Sequence, residues 1–215
     1  MENYRPEQVL ELWFPDSGHQ HDPQRHAAFW DERMQGGMDA VITARFAGLT
    51  EAAAKGLLDH WADTPRGRLA LLIALDQFPR SLWRDTPAAF AQDLRAARLA
   101  QEGIENGDFD ELAPWEQTFF HIAILHCEGP DHLERVDRME AIVERVSAAL
   151  PEPIRGFAEL FRGQHQRVRE IIARFGRHPH RNAVLGRIST PEEEAYIAAG
   201  DFPHVRKVKD DAAAS

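Results

Sequence analysis

The sequence predicts an all-α fold, and three observations carry that reading. Apolar residues recur at spacings of three and four along most of the chain, the period of a helix with one buried face. No segment sustains the period-two alternation of a half-buried strand. Four candidate starts put proline directly after a capping side chain: Asp22-Pro23, Thr64-Pro65, Thr86-Pro87 and Thr190-Pro191. Proline is tolerated there because the first turn of a helix leaves that amide position unpaired in any case.

Taken in order, the pattern places helices near 6–14, 23–47, 50–57, 65–77, 86–106, 114–127, 131–149, 153–175 and 191–199. The fourth holds the longest apolar run, Leu69 to Leu75, which is rich in Leu and Ala with a single β-branched residue, so helix is favoured over buried strand. In 114–127 the stripe runs Trp115, Phe119, Ile122 and then His126. The segment 131–149 is the cleanest, with Leu133, Val136, Met139, Ile142, Val143, Val146 and Leu150 on one face. Asp131 with Glu134 resembles a capping box at its start. In 153–175 the stripe is Ile154, Phe157, Ala158, Phe161, Val168, Ile172 and Phe175, with His165 falling squarely on it. Thr190 with Glu193 forms the capping box of the last helix.

Breaks fall at Gly36-Gly37, Glu128-Gly129-Pro130, Pro151-Glu152-Pro153 and Phe175 to Pro179, none long enough for a flexible linker. One domain over 1–206 is expected, with a polar tail, 207–215, that frays. Helices joined by short breaks suggest antiparallel pairs, and two such pairs, 65–106 and 114–149, start 49 residues apart. That spacing fits a stack of helical hairpins without establishing one.

Composition narrows the function. With 43% hydrophobic and 28% charged residues in 215, the chain resembles an ordinary globular protein. Its seven-residue apolar run is far short of the roughly 18 a membrane span needs, and no apolar signal core follows the N-terminus. Cys127 is the lone cysteine, which excludes an intrachain disulfide and any multi-thiolate zinc site and fits a reducing, cytoplasmic setting. A formal charge of −10 argues against general nucleic-acid affinity. The charge is uneven, however. Residues 151–187 hold eight arginines against three glutamates. One reading of that excess is codon bias with solvated helix faces; the other is a local anion site built from a subset of these arginines, since the planar fork of arginine suits carboxylate and phosphate.

Val9-Leu10-Glu11-Leu12-Trp13-Phe14, the block Leu69 to Arg80 ending Asp76-Gln77-Phe78-Pro79-Arg80, then Arg84, Ala89-Phe90-Ala91-Gln92-Asp93, His126-Cys127-Glu128, Phe175 to Asn182 and Leu185-Gly186-Arg187 with Ser189 to Glu193 together identify a resemblance. Over nearly its whole length the chain resembles the bacterial family catalogued as domain of unknown function 924. The resemblance implies antiparallel helical hairpins stacked in a tetratricopeptide-like right-handed array, and it implies no reaction. Two positions depart from the family pattern: Cys127 stands where serine is usual and His178 where phenylalanine is usual. The first weakens any nucleophile role for Cys127.

Three groups of polar residues are candidates for chemistry. His126 and His165 sit on inward faces, where burial favours neutral imidazole, and Glu128 could swing towards them once Gly129-Pro130 ends the helix. They are candidate catalytic residues, as acid–base groups with Glu128 as orienter. The alternative is hydrogen-bonded core histidines, and a metal held by His126, Glu128, His165 and His180 is disfavoured by the absence of any known ligand spacing. Asp76, Gln77, Arg80 and Arg84 flank Pro79, where polar side chains can turn into a cleft or pin an elbow. Arg177, His180, Arg181 and Asn182 follow the helix stop Phe175-Gly176 and either grip an anion or lock the loop.

No Gly-x-Ser-x-Gly, Walker-type or Gly-x-Gly-x-x-Gly pattern is present. The reading that follows is a binding module whose Arg- and His-lined cleft takes a small anion or an acidic peptide terminus, with no cofactor and no metal, nucleic-acid or membrane partner. The alternatives are an enzyme using His126 or His165 on such a ligand, and a protein–protein scaffold without pocket chemistry.

Overall fold

Every residue from Leu69 to Asp76 is buried, and the other helices are arranged around that rod. The computed structural model describes residues 3–200 and Phe202; the expected tail 207–215 lies outside them. The α-helices are α1 (Pro6–Trp13), α2 (Pro23–Met34), α3 (Asp39–Arg45), α4 (Ala47–Ala54), α5 (Pro65–Asp76), α6 (Phe78–Leu82), α7 (Asp93–Glu105), α8 (Pro114–His126), α9 (His132–Arg138), α10 (Glu140–Ala149), α11 (Phe157–Phe175) and α12 (Pro191–Ala199). Single turns of 3₁₀-helix join several of them, and no strand occurs among the described residues. α5 packs against α1, α4, α6, α7 and α8; α7 lies on α8, and α11 on α10 and α9.

The starts form as their sequences dictate. The Asp22 side chain accepts from the amides of Gln24 and Arg25, Thr64 accepts from Gly67, and Thr190 and Glu193 close a reciprocal capping box. Asp131 does not cap. Its carboxylate turns instead to Arg135, at 3.0 Å, one helical turn on.

Several expected helices are divided. The segment 23–47 breaks at its glycine pair, where Gly36 has φ +88°. The helix 65–77 ends at Asp76, because Pro79 has no amide hydrogen to continue the ladder, and α6 resumes on a new axis. The segment 86–106 opens as a 3₁₀ turn, Pro87–Phe90: the Thr86 hydroxyl donates back to the Trp83 carbonyl at 2.7 Å rather than capping a helix, and α7 starts only at Asp93. The segment 131–149 divides at Met139, whose amide bonds three residues back to Val136.

One hydrophobic cluster gathers side chains from α1 through α11, with Trp13, Phe78, Phe109, Phe119 and Phe120 fully buried. A small second cluster, Leu150, Ile154 and Ala158, packs with Trp115 and Phe157. Close packing at the entry of α5 gives a direct test. A Cβ on Gly67 would fall on the Trp61 carbonyl oxygen and lie 2.8 Å from Thr64 Oγ1. Gly67→Ala is therefore expected to destabilise by about 1–3 kcal/mol. Gly163 lies inside α11 with nothing within 4 Å of its virtual Cβ, so Gly163→Ala should stabilise by about 0.5–1 kcal/mol. Urea melts of the two variants should shift in opposite directions.

Candidate functional site

Three stretches of chain separated by about fifty residues each meet at the C-terminal end of α5. Asp76 is the last residue of that apolar helix and has no exposed surface. A lone carboxylate there would be prohibitive, so its bonds matter. His126, the last residue of α8, donates from Nδ1 to Asp76 at 2.9 and 3.1 Å to the two oxygens. Gln77 donates to the same carboxylate, and Arg80, one turn on, lies 3.2 Å from it and also bonds the Asp76 carbonyl.

A second carboxylate closes the network. Asp93, at the N-terminus of α7, accepts from Arg80 Nη2 at 2.8 and 3.0 Å and from Arg181 Nη1 at 3.0 Å. The same Arg181 nitrogen donates to the His126 carbonyl at 2.9 Å. The Arg181 guanidinium stacks over Phe90, 4.5 Å from the ring centre, with Arg80 at 5.6 Å. Burial pushes the Asp93 carboxyl up from its ordinary value, against the pull of Arg80 and Arg181. Two carboxylates and two guanidiniums thus balance in charge.

Behind this network Glu128 ties down the loop that supplies Arg181. It accepts from the His178 amide at 2.7 Å and from Arg187 at 2.5 and 3.3 Å. Burial opposes its charge, but the bonds from Arg187 and His178 prevail and hold its pKa below the ordinary value.

The network forms one end of a cavity of about 690 Å³. Gln77, Arg80, Arg84, His126, His180 and Arg181 line it. The rest of the wall is largely apolar: Trp13, Trp30, Trp115, Phe90, Phe157 and Phe161 contribute, and Leu160, Gly163, Gln164 and Arg167 of α11 also border the cavity. Five arginines line the cavity, at positions 33, 80, 84, 167 and 181, against the acids Asp85 and Glu159, in a chain whose formal charge is −10. Asp85 is the only non-glycine residue with positive φ, +58°, among the described residues.

Not every residue singled out from the sequence reaches the cavity. Asp76 stands behind the wall and acts on it through His126, Gln77 and Arg80. Arg84 lines the cavity while paired with Asp39 at 2.5 Å. Glu128 faces His178 and Arg187 and does not line it. Arg177 pairs with Glu193 at 2.6 and 2.8 Å, a contact that holds the Glu193 carboxyl at about 2. Asn182 donates to Ser189 at 2.9 Å. His165 is bonded to His121 across the α8–α11 interface at 3.0 Å, and the burial of both pushes their pKa values down. No group of three or more His, Cys, Asp or Glu side chains among the described residues is placed to hold a metal ion. Cys127 is buried and its thiol is pushed up by that burial.

Sequence reasoning missed Asp93, the hinge of the network. A signal existed: Asp93 precedes Ala96, Ala97 and Ala100 at helical spacing, which places a carboxylate on the buried stripe of α7. For Arg187, 59 residues from Glu128, no local signal existed.

The chain matches the family model described as a bacterial protein of unknown function, DUF924, over residues 9–201. It is similar to a solved structure of a protein of unknown function from Agrobacterium tumefaciens, with a TM-score of 0.64 and 28% identity over 91% of this chain and 97% of that one. No curated protein matches it.

Proposed function

Because the chain belongs to the bacterial DUF924 family, whose function is unknown, we propose from the site itself that it binds a small organic anion in the cleft lined by α2, α6, α8 and α11. The observation that carries this reading is the cavity: about 690 Å³, aromatic along much of its wall and bordered by five arginines. Small-molecule sites fall at roughly 300–1,000 Å³ and combine an apolar lining with a few fixed polar groups. The network that fixes Arg80 and Arg181 pre-organises them, which lowers the entropic cost of gripping a ligand.

An enzyme is the second reading, favoured by one observation. Asp76 holds the Nδ1 side of His126 while the ring borders the cavity, the arrangement that sets a histidine's tautomer for proton transfer. The scaffold reading has less support, since the large exposed apolar side chains are dispersed, Leu94 on α7, Leu160 on α11, and Leu57 and Ile188 in two separate loops. None of the described helices is long and apolar enough to cross a membrane. The chain is proposed to form one cytoplasmic domain, a reading supported by a core cluster shared from α1 to α11 and by the lone cysteine. Its helix pairs are taken to stack as tetratricopeptide-like hairpins.

A thermal-shift screen of small organic acids and acid-terminated dipeptides tests this function, because a ligand bound only by the native state raises its melting temperature. A shift that Arg181→Lys or Arg80→Lys abolishes is the expected result; lysine keeps the charge beside Asp93 and loses the fork. A shift that survives both variants would place the ligand elsewhere. For the enzymatic reading, His126→Asn should remove turnover while binding persists.

A further inference from the structure

We infer that the ligand is a monocarboxylate with a bulky apolar body, its carboxylate seated against Arg181 and its body lying along the tryptophan-lined wall. This rests on the anion-binding reading above and narrows it.

The charge balance disfavours a dianion. Arg80 and Arg181 are already matched by Asp76 and Asp93, so the polar end has no surplus of two charges to offer a phosphate dianion. It does have an unmet guanidinium edge. Arg181 is 4% exposed, both of its hydrogen bonds leave from Nη1, and neither the buried Nε nor Nη2 has a partner among the described residues. A buried guanidinium N–H without an acceptor is costly, and a carboxylate supplies the missing one with charge assistance. Phe90 beneath the guanidinium keeps that edge in place. Aldehydes, amides and alcohols would satisfy the geometry only as neutral acceptors and forgo the ionic part.

The wall selects the body. Trp30 is held by its Nε1 donating to His26 at 3.0 Å and is stacked on Phe119, with ring centres 5.3 Å apart. Trp115 and Phe157 stand over the small apolar cluster of Leu150 and Ile154. Rigid aromatic faces of this kind bind hydrocarbon well and offer nothing to the hydroxyls of a sugar acid. Leu160 of α11 borders the cavity while remaining 67% exposed.

Calorimetric and thermal-shift titrations of the whole chain with octanoate, 3-phenylpropionate, octanamide and inorganic phosphate test the assignment. Octanoate and 3-phenylpropionate are expected to bind at least about tenfold more tightly than octanamide, one such factor being the least a charge-assisted fork should contribute. Phosphate is expected to give no shift. Leu160→Glu changes a solvent-exposed position and should weaken both carboxylates while leaving the unliganded melting temperature in place. If phosphate binds and the carboxylates do not, the ligand class is overturned and the anion cleft stands. If octanamide equals octanoate, the carboxylate assignment is overturned. If no probe binds at millimolar concentration, the cleft reading falls with it.

Discussion

Asp93→Ala is expected to cost the folded protein about 3–5 kcal/mol. The carboxylate is the shared acceptor for Arg80 and Arg181, with three contacts between 2.8 and 3.0 Å. Removing it leaves Arg181 buried beside Arg80 with only the His126 carbonyl as partner. Arg80 keeps Asp76, so Arg181 carries most of the penalty. Urea unfolding at pH 7 reads the loss. Replacing both partners by apolar groups, Asp93→Leu with Arg181→Met, should recover at least half of it, because the cost comes from stranded charge and not from the missing bond. A loss below about 1 kcal/mol for Asp93→Ala would mean that water reaches and solvates the guanidiniums.

Acid is expected to unfold the protein steeply from pH 6.5 downwards, through uptake of protons by histidines rather than carboxylates. Burial lowers the pKa of His19, His26, His121, His132, His165 and His178, with His26 and His132 reaching about 4. Their bonding shows why each is neutral. Trp30 donates to His26 Nε2, so His26 must donate from Nδ1 to His19, at 2.9 Å. His132 and His178 both give their Nε2 hydrogen to the Leu125 carbonyl and bury a bare Nδ1. His121 Nδ1 and His165 Nε2 are likewise buried without partners. A second proton on any of these rings would be an unmet, charged donor.

The direction follows from linkage. A histidine whose folded pKa lies below the unfolded 6.5 favours the native state fully above pH 6.5, and that contribution falls as pH drops towards the folded value. Each such histidine removes up to about 1.4 kcal/mol per pH unit within its window. Glu128 and Glu193, whose folded pKa values are depressed, lose their contributions only below the unfolded carboxyl range, so the loss above pH 5 belongs to the imidazoles. Stability measured between pH 7 and 5 should correspond to several protons taken up on unfolding. His121→Leu with His165→Leu should flatten that slope by up to two protons. A flat profile over this interval would contradict the burial assigned to these rings.

The sequence made the helices legible because their signals are local. Caps at Asp22, Thr64 and Thr190 act within three residues, and the stripes of α5, α8 and α11 are periodic along one element. The divisions at Met139 and before Asp93 were not legible, because tertiary packing and one hydroxyl bond decide them. His126 and Asp76 were each readable as polar groups on or beside an inward face. That they bond to one another, 50 residues apart, was not.

By itself, then, the sequence determined an all-helical chain, its buried stripes and the residue types that could bind an anion, since each depends on neighbours within a turn or two. Only the tertiary structure decided the partners. It gave His126 to Asp76 rather than to Glu128, gave His165 to His121, and brought Arg80 and Arg181 together on Asp93. The physical reason is that a buried charge must find its counter-charge wherever packing brings one, and packing is fixed by the apolar faces of α5, α7 and α8, not by the order of the polar residues along the chain.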